Sequence, residues 1–482
     1  MSQNNLCQNF IKKIFLNLRK SNNIFYKNNN KEYSYGYAYK KLLNLNTFLT
    51  KYKKKRIALF SDKSPDYYIA VLGIFLSGNT WIQISPNLPI KKIEEIIKFS
   101  KIKVGIYDNS FKNEKIFNLN KIKIHNLSNL IKLSPSNKFK NYKKINKDDI
   151  SCIFFTSGSS GKPKGVELTY ENVISCANYQ IKNLNYKDKQ VFADCHDTGF
   201  VMSLVVIFPA LILKGTFSPL ISFSDKLNPV EYFVENKINN LITVPSFILF
   251  NKDKIQKLNL DNLILCGESF PYKILNILLK KTKIKTIYNC YGATELSPWA
   301  FFYKVDYRDV QLIKKFGKVP IGKPFKSLSY KFNNLKELLI EGNVVAKGYL
   351  NNLQETKKKF LFKKKYNEYN TGDIGFKYKN YIFISGRNDT QVKIKGHRVD
   401  LSEVENTARK YKNNLFTFCF LKNNKLNLVY HNEYEDRNTD LFKFLKENLS
   451  GYMIPNKIIY IKKIPFNKNG KIDRLKLKKL GV

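Results

Sequence analysis

Cysteine and histidine are too few and too scattered to organise this chain. Seven cysteines, an odd number with no C-x-x-C pair, exclude a disulfide framework and point to a reducing compartment. Four dispersed histidines leave no pattern for structural zinc. Long apolar runs are also missing. The N-terminus, MSQNNLCQNFIKKIFLNLRK, has no stretch long enough for a signal peptide or a spanning helix. The longest apolar run, around Phe200 to Leu213, is interrupted by Ser203 and Pro209 and bounded by Asp197 and Lys214, so it reads as a core strand or helix. No membrane span and a cytoplasmic location are therefore expected. Acidic residues are scarce too, 38 against 84 Lys and Arg, for a net charge of +46. Dense positive charge favours phosphates, which makes nucleic acid one reading. Arginine, however, occurs only eight times, and the lysine comes with abundant Asn, Ile, Tyr and Phe. Those residues share AT-rich codons, and the lysines run along the whole length without forming a patch. Compositional bias accounts for the charge, and no specific nucleic-acid partner is expected.

What is present is ample for folding. Apolar residues make up 43% and aromatics 14% of 482 residues, enough for two or more domains. From Arg56 onward, short apolar runs alternate with amphipathic stretches. RIALFSD, TWIQIS and KVGIYD read as strands; PDYYIAVLGIFLSG and PIKKIEEIIKFSKI read as helices, the first ending at Gly78. The rhythm returns in NLILCGES, PYKILNILLKK and KTIYNCYG. Such alternation predicts α/β layers with mostly parallel sheet. Near Ser385 the texture changes to a small α+β pattern. The expected organisation is a polar lead-in over 1–30, a large domain over 31–385 and a small C-terminal domain over 386–482.

After the strand DISCIFF comes a loop of Thr156, Ser157, Gly158, Ser159, Ser160 and Gly161, followed by Lys-Pro-Lys164-Gly. Gly and Ser leave backbone N–H groups free to point at phosphate oxygens, and the lysines add charge. It is not a Walker A loop, because Lys162 is followed by proline, nor a dinucleotide G-x-G-x-x-G. A flexible linker is the plain alternative. Against it, the loop sits directly after an apolar strand and ends in Lys-Pro-Lys-Gly.

The string FFTSGSSGKPKGV closely resembles the phosphate loop of the adenylate-forming superfamily, which includes acyl-CoA synthetases, peptide-synthetase adenylation domains and firefly luciferases. Other motifs follow in the family's order, over roughly residues 30 to 480. Asn289-Cys-Tyr291-Gly292-Ala-Thr294-Glu295 resembles N-x-Y-G-x-T-E. The resemblance implies adenine stacking by Tyr291, contact of Asn289 with the adenine edge, an α-phosphate hydrogen bond from Thr294, and Mg²⁺ held by Glu295. TGD at 371–373 resembles the ribose motif, with Asp373 accepting from both hydroxyls. ELLIEGNVVAKGYL resembles the preceding core segment, although Lys336 stands where a glycine is usual.

GRNDTQVKIKGHRVD resembles the segment joining the family's two domains. It implies a hinge at Asp389, about which a mobile small domain turns between two catalytic postures. Arg387 would contact ribose or phosphates, and Arg398 matches a second arginine of the motif. Two arginines in one short segment of an arginine-poor chain suggest that planar bidentate donors are required. Near the C-terminus, IPFNKNGKIDR resembles the motif of the catalytic lysine. It places Lys471 between the substrate carboxylate and the nucleotide, where an ammonium offsets charge building on phosphorus oxygens.

The closest resemblance is to stand-alone amino acid adenylation enzymes such as D-alanine–carrier-protein ligases. In that group an aspartate pairs with the substrate's α-ammonium, a role carried to Asp197 in CHDTGFV, although His196 and Gly199 depart from the usual pattern. Cys266 of Cys266-Gly267-Glu268 would line the pocket for a small side chain, and Gly267 and Glu268 would border the nucleotide. A buried carboxylate awaiting an ammonium rejects uncharged acids strongly. The plain alternative is that Asp197 caps a helix. The expected reaction is ATP- and Mg²⁺-dependent adenylation of a small amino acid. Transfer to a phosphopantetheine thiol follows, on a carrier protein supplied in trans or on coenzyme A. Ligation of a fatty or aryl acid to coenzyme A is the alternative. An inactive homologue serving as an interaction module would need these nucleotide-contacting residues lost, and all are present.

Overall fold

The computed structural model describes residues 3–29, 31–119, 121–135, 145–156, 163–411, 416–431, 440–465 and 473–479. Two large sheets form the body. In the seven-stranded sheet, Arg56–Phe60, Thr80–Ile84, Val104–Tyr107, Lys123–Asn126 and Ile150–Thr156 run parallel, and Lys164–Thr169 and Gly348–Tyr349 close one edge antiparallel. The nine-stranded sheet is parallel from Ile24–Asn28 through Thr216–Pro219, Val191–Asp194, Asn240–Thr243 and Asn262–Cys266 to Thr286–Tyr291. Its outermost strands are antiparallel. The central strands Thr80–Ile84, Asn262–Cys266 and Thr286–Tyr291 are buried along their whole length, which is why they do not show the alternation of half-exposed strands in the sequence.

Every strand and helix expected between Arg56 and Tyr107 forms. Pro65–Leu76 starts at Ser64, whose hydroxyl accepts from the Tyr67 N–H, a proper N-cap. Gly78 follows it at φ +79, a conformation that glycine adopts without strain. The apolar run after Phe200 becomes the helix Ser203–Ile212, all ten residues buried against both sheets. Among the described residues no helix is long and apolar enough to cross a membrane. The first thirty residues, read above as a polar lead-in, contain the helix Gln3–Lys20, whose Phe10, Ile11, Ile14 and Leu18 are buried in the main core.

A third, antiparallel sheet contains Glu368–Tyr378 and Tyr381–Arg387. Beyond it the chain builds a smaller α+β unit from the hairpin Gln391–Ile394/His397–Asp400, the helices Leu401–Arg409 and Asp440–Asn448, and a three-stranded sheet. Its apolar cluster, from Ile394 to Tyr460, draws on no residue before Gln391. The architecture is thus a large layered α/β body with a small C-terminal domain.

Candidate active site

The site collects where strands of all three sheets end. At the end of Thr286–Tyr291 the Tyr291 hydroxyl donates to Asp373, which lies on Glu368–Tyr378. Arg387, the register partner of Asp373, donates to the same carboxylate and forks onto Asp389, with Nε–Oδ1 and Nη2–Oδ2 both 2.8 Å. One guanidinium therefore joins the expected ribose ligand to the expected hinge. Burial pushes the Asp389 pKa up, but Arg387 outweighs it and the net shift is downward. The amide of Asn289 donates to the Pro320 carbonyl at 2.9 Å, and its side chain is buried, so backbone carbonyls hold it here. Gly292 is required by packing, since a Cβ there would lie 2.0 Å from the Pro298 carbonyl oxygen.

Glu295 follows in the turn Thr294–Leu296 and is 1% exposed. Both its oxygens accept from Arg398, at 3.0 and 2.9 Å, and Oε1 accepts from the Tyr349 hydroxyl at 2.7 Å. Burial alone pushes its pKa up, yet the Arg398 charge and the Tyr349 hydrogen bond leave it lowered. The hairpin that carries Arg398 touches the large domain again at its turn, where the Gly396 N–H donates to Glu268 at 3.0 Å. That carboxylate also accepts from the Ser246 N–H and hydroxyl. Gly267 and Gly396 meet back to back. A Cβ on Gly267 would sit 3.5 Å from the Gly396 Cα, and one on Gly396 would reach 2.5 Å from Val244.

Asp197 lines a cavity of ≈ 270 Å³ together with Ser85, Thr156, Thr294 and His397. Its Oδ1 accepts from the Gly199 N–H at 2.9 Å, and its Oδ2 from Ser85 at 2.9 Å and Asn87 at 3.4 Å. No lysine, arginine or histidine among the described residues forms an ion pair with it within 4.0 Å. It caps no helix either: Ser203–Ile212 begins at Met202 without a side-chain cap. Cys266 is buried and donates weakly to the Thr243 carbonyl at 3.8 Å. Burial pushes its pKa up to about 12, so it is a thiol and packs as a small apolar group. The cavity continues past Asn87, Leu88 and Gly451 into an open groove bordered by Phe442 and Lys446.

Lys164 points elsewhere in this arrangement, ion-paired to Glu355 at 2.9 Å. Ser157, Gly158, Ser159, Ser160, Gly161 and Lys471 lie outside the described residues. The structure adds groups that sequence reasoning missed. Lys393 sits 5.8 Å from the Tyr291 ring centroid, its pKa lowered by burial against the opposing pull of Asp373. Tyr349 fixes Glu295; its AKGYL segment was recognised, but the pairing is between residues 54 apart. Nothing in the sequence marked Tyr452, which stacks on His397.

The AMP-binding enzyme family profile matches residues 17–350. The D-alanine–D-alanyl carrier protein ligase of Listeria monocytogenes serotype 4a (strain HCC23) is 30% identical over 468 residues, covering 90% of this chain and 89% of that protein. The ligase of the same name from Staphylococcus haemolyticus is 28% identical over 439 residues, covering 87% and 88%. Among solved structures, the Vibrio cholerae adenylation domain AlmE in complex with glycyl-adenosine-5'-phosphate superposes with a TM-score of 0.83 at 19% identity, covering 98% of both chains. The o-succinylbenzoate CoA synthetase of Bacillus subtilis gives 0.82 at 17%, covering 97% and 98%.

Proposed function

This chain belongs to the AMP-binding enzyme family as an ATP-dependent, AMP-forming ligase, and from that premise we propose that it activates a small amino acid, alanine or glycine in size, and loads it onto a carrier-protein thiol. The observation that carries the reading is Asp197. It is a carboxylate facing the cavity beside Thr156 and Thr294, held by three neutral donors and paired with no cation. A half-buried carboxylate held only by neutral groups still favours a positive charge beside it, and an α-ammonium group supplies one. The relatives' name, D-alanine–D-alanyl carrier protein ligase, supports the same choice.

In the first half-reaction the amino acid carboxylate attacks the α-phosphorus of ATP, forming the aminoacyl-adenylate and releasing pyrophosphate. Tyr291 supports adenine, Asp373 takes the ribose hydroxyls, and Thr294 donates to the α-phosphate. Asp197 holds the ammonium, and Lys471 supplies positive charge at the reacting oxygens. Glu295 is the residue that would hold Mg²⁺. One carboxylate suits this ion, which keeps waters and substrate phosphates as its other ligands, and no cluster of three or more His, Cys, Asp or Glu is found among the described residues. When bound, the ion neutralises phosphate charge. Arg398 occupies Glu295 in the present arrangement, so this carboxylate is free for the metal only when the hairpin has left. The arrangement suits the second half-reaction. There the small domain, turned about Asp389, brings Gly396 and Arg398 against the large domain, and the groove past Gly451 admits a phosphopantetheine thiol that displaces AMP.

Pyrophosphate release with ATP and Mg²⁺ across D- and L-alanine, glycine, serine, larger amino acids, and fatty and aryl acids tests this. Release is expected with one small amino acid, and Asp197→Asn is expected to lower its kcat/KM by about a hundred-fold or more. Release with uncharged acids alone, unaffected by that substitution, means acyl-CoA ligation instead.

A further inference from the structure

A column of rings crosses from the large domain to the small one at the cavity. Phe200, just beyond Asp197 in the same loop, lies 5.1 Å from His397, and His397 stacks on Tyr452 at 4.0 Å with an interplanar angle of 5°. The ring of His397 is held from both sides along the backbone as well. Gly396 before it donates to Glu268, and Arg398 after it is paired with Glu295. His397 therefore enters the cavity through a rigid, doubly anchored hairpin. Among the described residues, its ring nitrogens have no hydrogen-bond or ion-pair partner. Burial lowers its pKa to about 4, Lys395 adding to the shift and Asp197 opposing it, so the ring is neutral and offers a lone pair.

Asp197 needs such a companion. A carboxylate presents about four lone-pair sites, and Gly199, Ser85 and Asn87 already use three. An α-ammonium brings three N–H donors, so Asp197 can neutralise its charge but cannot satisfy its hydrogen bonds. Gln83, also at the cavity, has its carbonyl oxygen engaged by the Trp81 indole.

We propose that His397 is a specificity-determining residue, accepting a hydrogen bond from the α-ammonium that Asp197 balances and doing so only while the hairpin is docked. The inference rests on the amino acid reading given above. Its consequence is a second inspection: the amine is read by Asp197 during adenylation, and by Asp197 and His397 together before acyl transfer. A desamino acid that slipped through the first step would leave the docked pair unsatisfied and be transferred slowly.

The test separates transfer from adenylation. Chemically prepared alanyl-adenylate and propionyl-adenylate, which differ only in the amine, are mixed with the full-length enzyme and pantetheine, and single-turnover thioester formation is timed. The wild type is expected to prefer the alanyl compound. His397→Phe keeps a ring on Tyr452 but removes the acceptor, and is expected to slow alanyl transfer about ten-fold or more while changing propionyl transfer by less than about three-fold. His397→Asn, which restores an acceptor, is expected to recover part of the loss. If the wild type prefers alanyl and His397→Phe keeps that preference, or slows both adenylates equally, the role of His397 is overturned and the reading of Asp197 stands. If the wild type shows no preference, the second inspection is overturned, and pyrophosphate release with the acid panel decides the amino acid reading separately.

Discussion

At the scale of single residues the site is governed by competition for carboxylates. Glu295 cannot hold Arg398 with both oxygens and a metal ion at once, whereas Asp373, with Tyr291 and Arg387 on one oxygen each, keeps two lone-pair sites for a ribose. A metal ion at Glu295 therefore displaces Arg398, a side chain that also ties the hairpin. Glu295→Gln leaves the buried Arg398 guanidinium without its counter-charge, a loss that favours undocking of the hairpin. Limited trypsin digestion of the nucleotide-free protein is expected to cut after Lys393 or Lys395 about ten-fold faster in that variant. An unchanged rate means that other contacts hold the hairpin. His196 yields a pH prediction. Burial lowers its pKa to about 4, with Asp194 opposing the shift and Lys63 and His397 reinforcing it. An unfolded histidine titrates near 6.5, so the unfolded chain binds this proton first. Stability is complete above about pH 6.5 and is lost as pH falls toward 4. The melting temperature is expected to drop between pH 7.5 and 5, and to drop less in His196→Gln.

At the scale of elements, the hairpin Gln391–Ile394/His397–Asp400 carries most of the consequence. Its turn passes so close to the large domain that only a residue without Cβ fits, and Gly396 also has φ +81. Gly396→Val strains the hairpin's own turn in any arrangement and adds a clash with Val244 in the docked one alone. Pantetheine loading is expected to fall about ten-fold or more, with pyrophosphate release reduced far less. Equal losses in both would place the hairpin in the same position throughout the cycle. Element boundaries were legible in the sequence where turn chemistry was explicit, as at Gly78. The helix Gln3–Lys20 was not, because its apolar residues are diluted by Asn, Gln and Lys, and its buried stripe shows only against the main core. Lys336 explains its own oddity: it adopts φ +59, the left-handed region, where the family's usual glycine is unstrained.

At the scale of the whole molecule, the same substitution recurs. Of fourteen described non-glycine residues with positive φ, nine are lysines, at positions where glycine or asparagine is the unstrained choice. Lysine has entered turns for which its side chain has no conformational advantage, which fits compositional bias as the source of the +46 charge. The charge still acts physically. An acidic carrier protein would be drawn to this surface, so the second-order rate of carrier loading is expected to fall as salt rises from about 0.05 to 0.5 M. Loading of free pantetheine, which is uncharged, is expected to change much less. Equal salt dependence for both thiols removes steering as the explanation.

The sequence by itself determined the family and the layered α/β class, and it supplied the residues proposed here for the nucleotide site. Those depend on local strings, apolar strand followed by special loop, whose chemistry is written in adjacent positions. Tertiary structure alone decided which of those residues meet. Tyr291 with Asp373, Glu295 with Arg398 and Tyr349, Gly396 with Glu268, and His397 between Phe200 and Tyr452 join segments tens to hundreds of residues apart. A motif fixes what a side chain can donate or accept. Only the packing of three sheets and a docked hairpin fixes what stands opposite it.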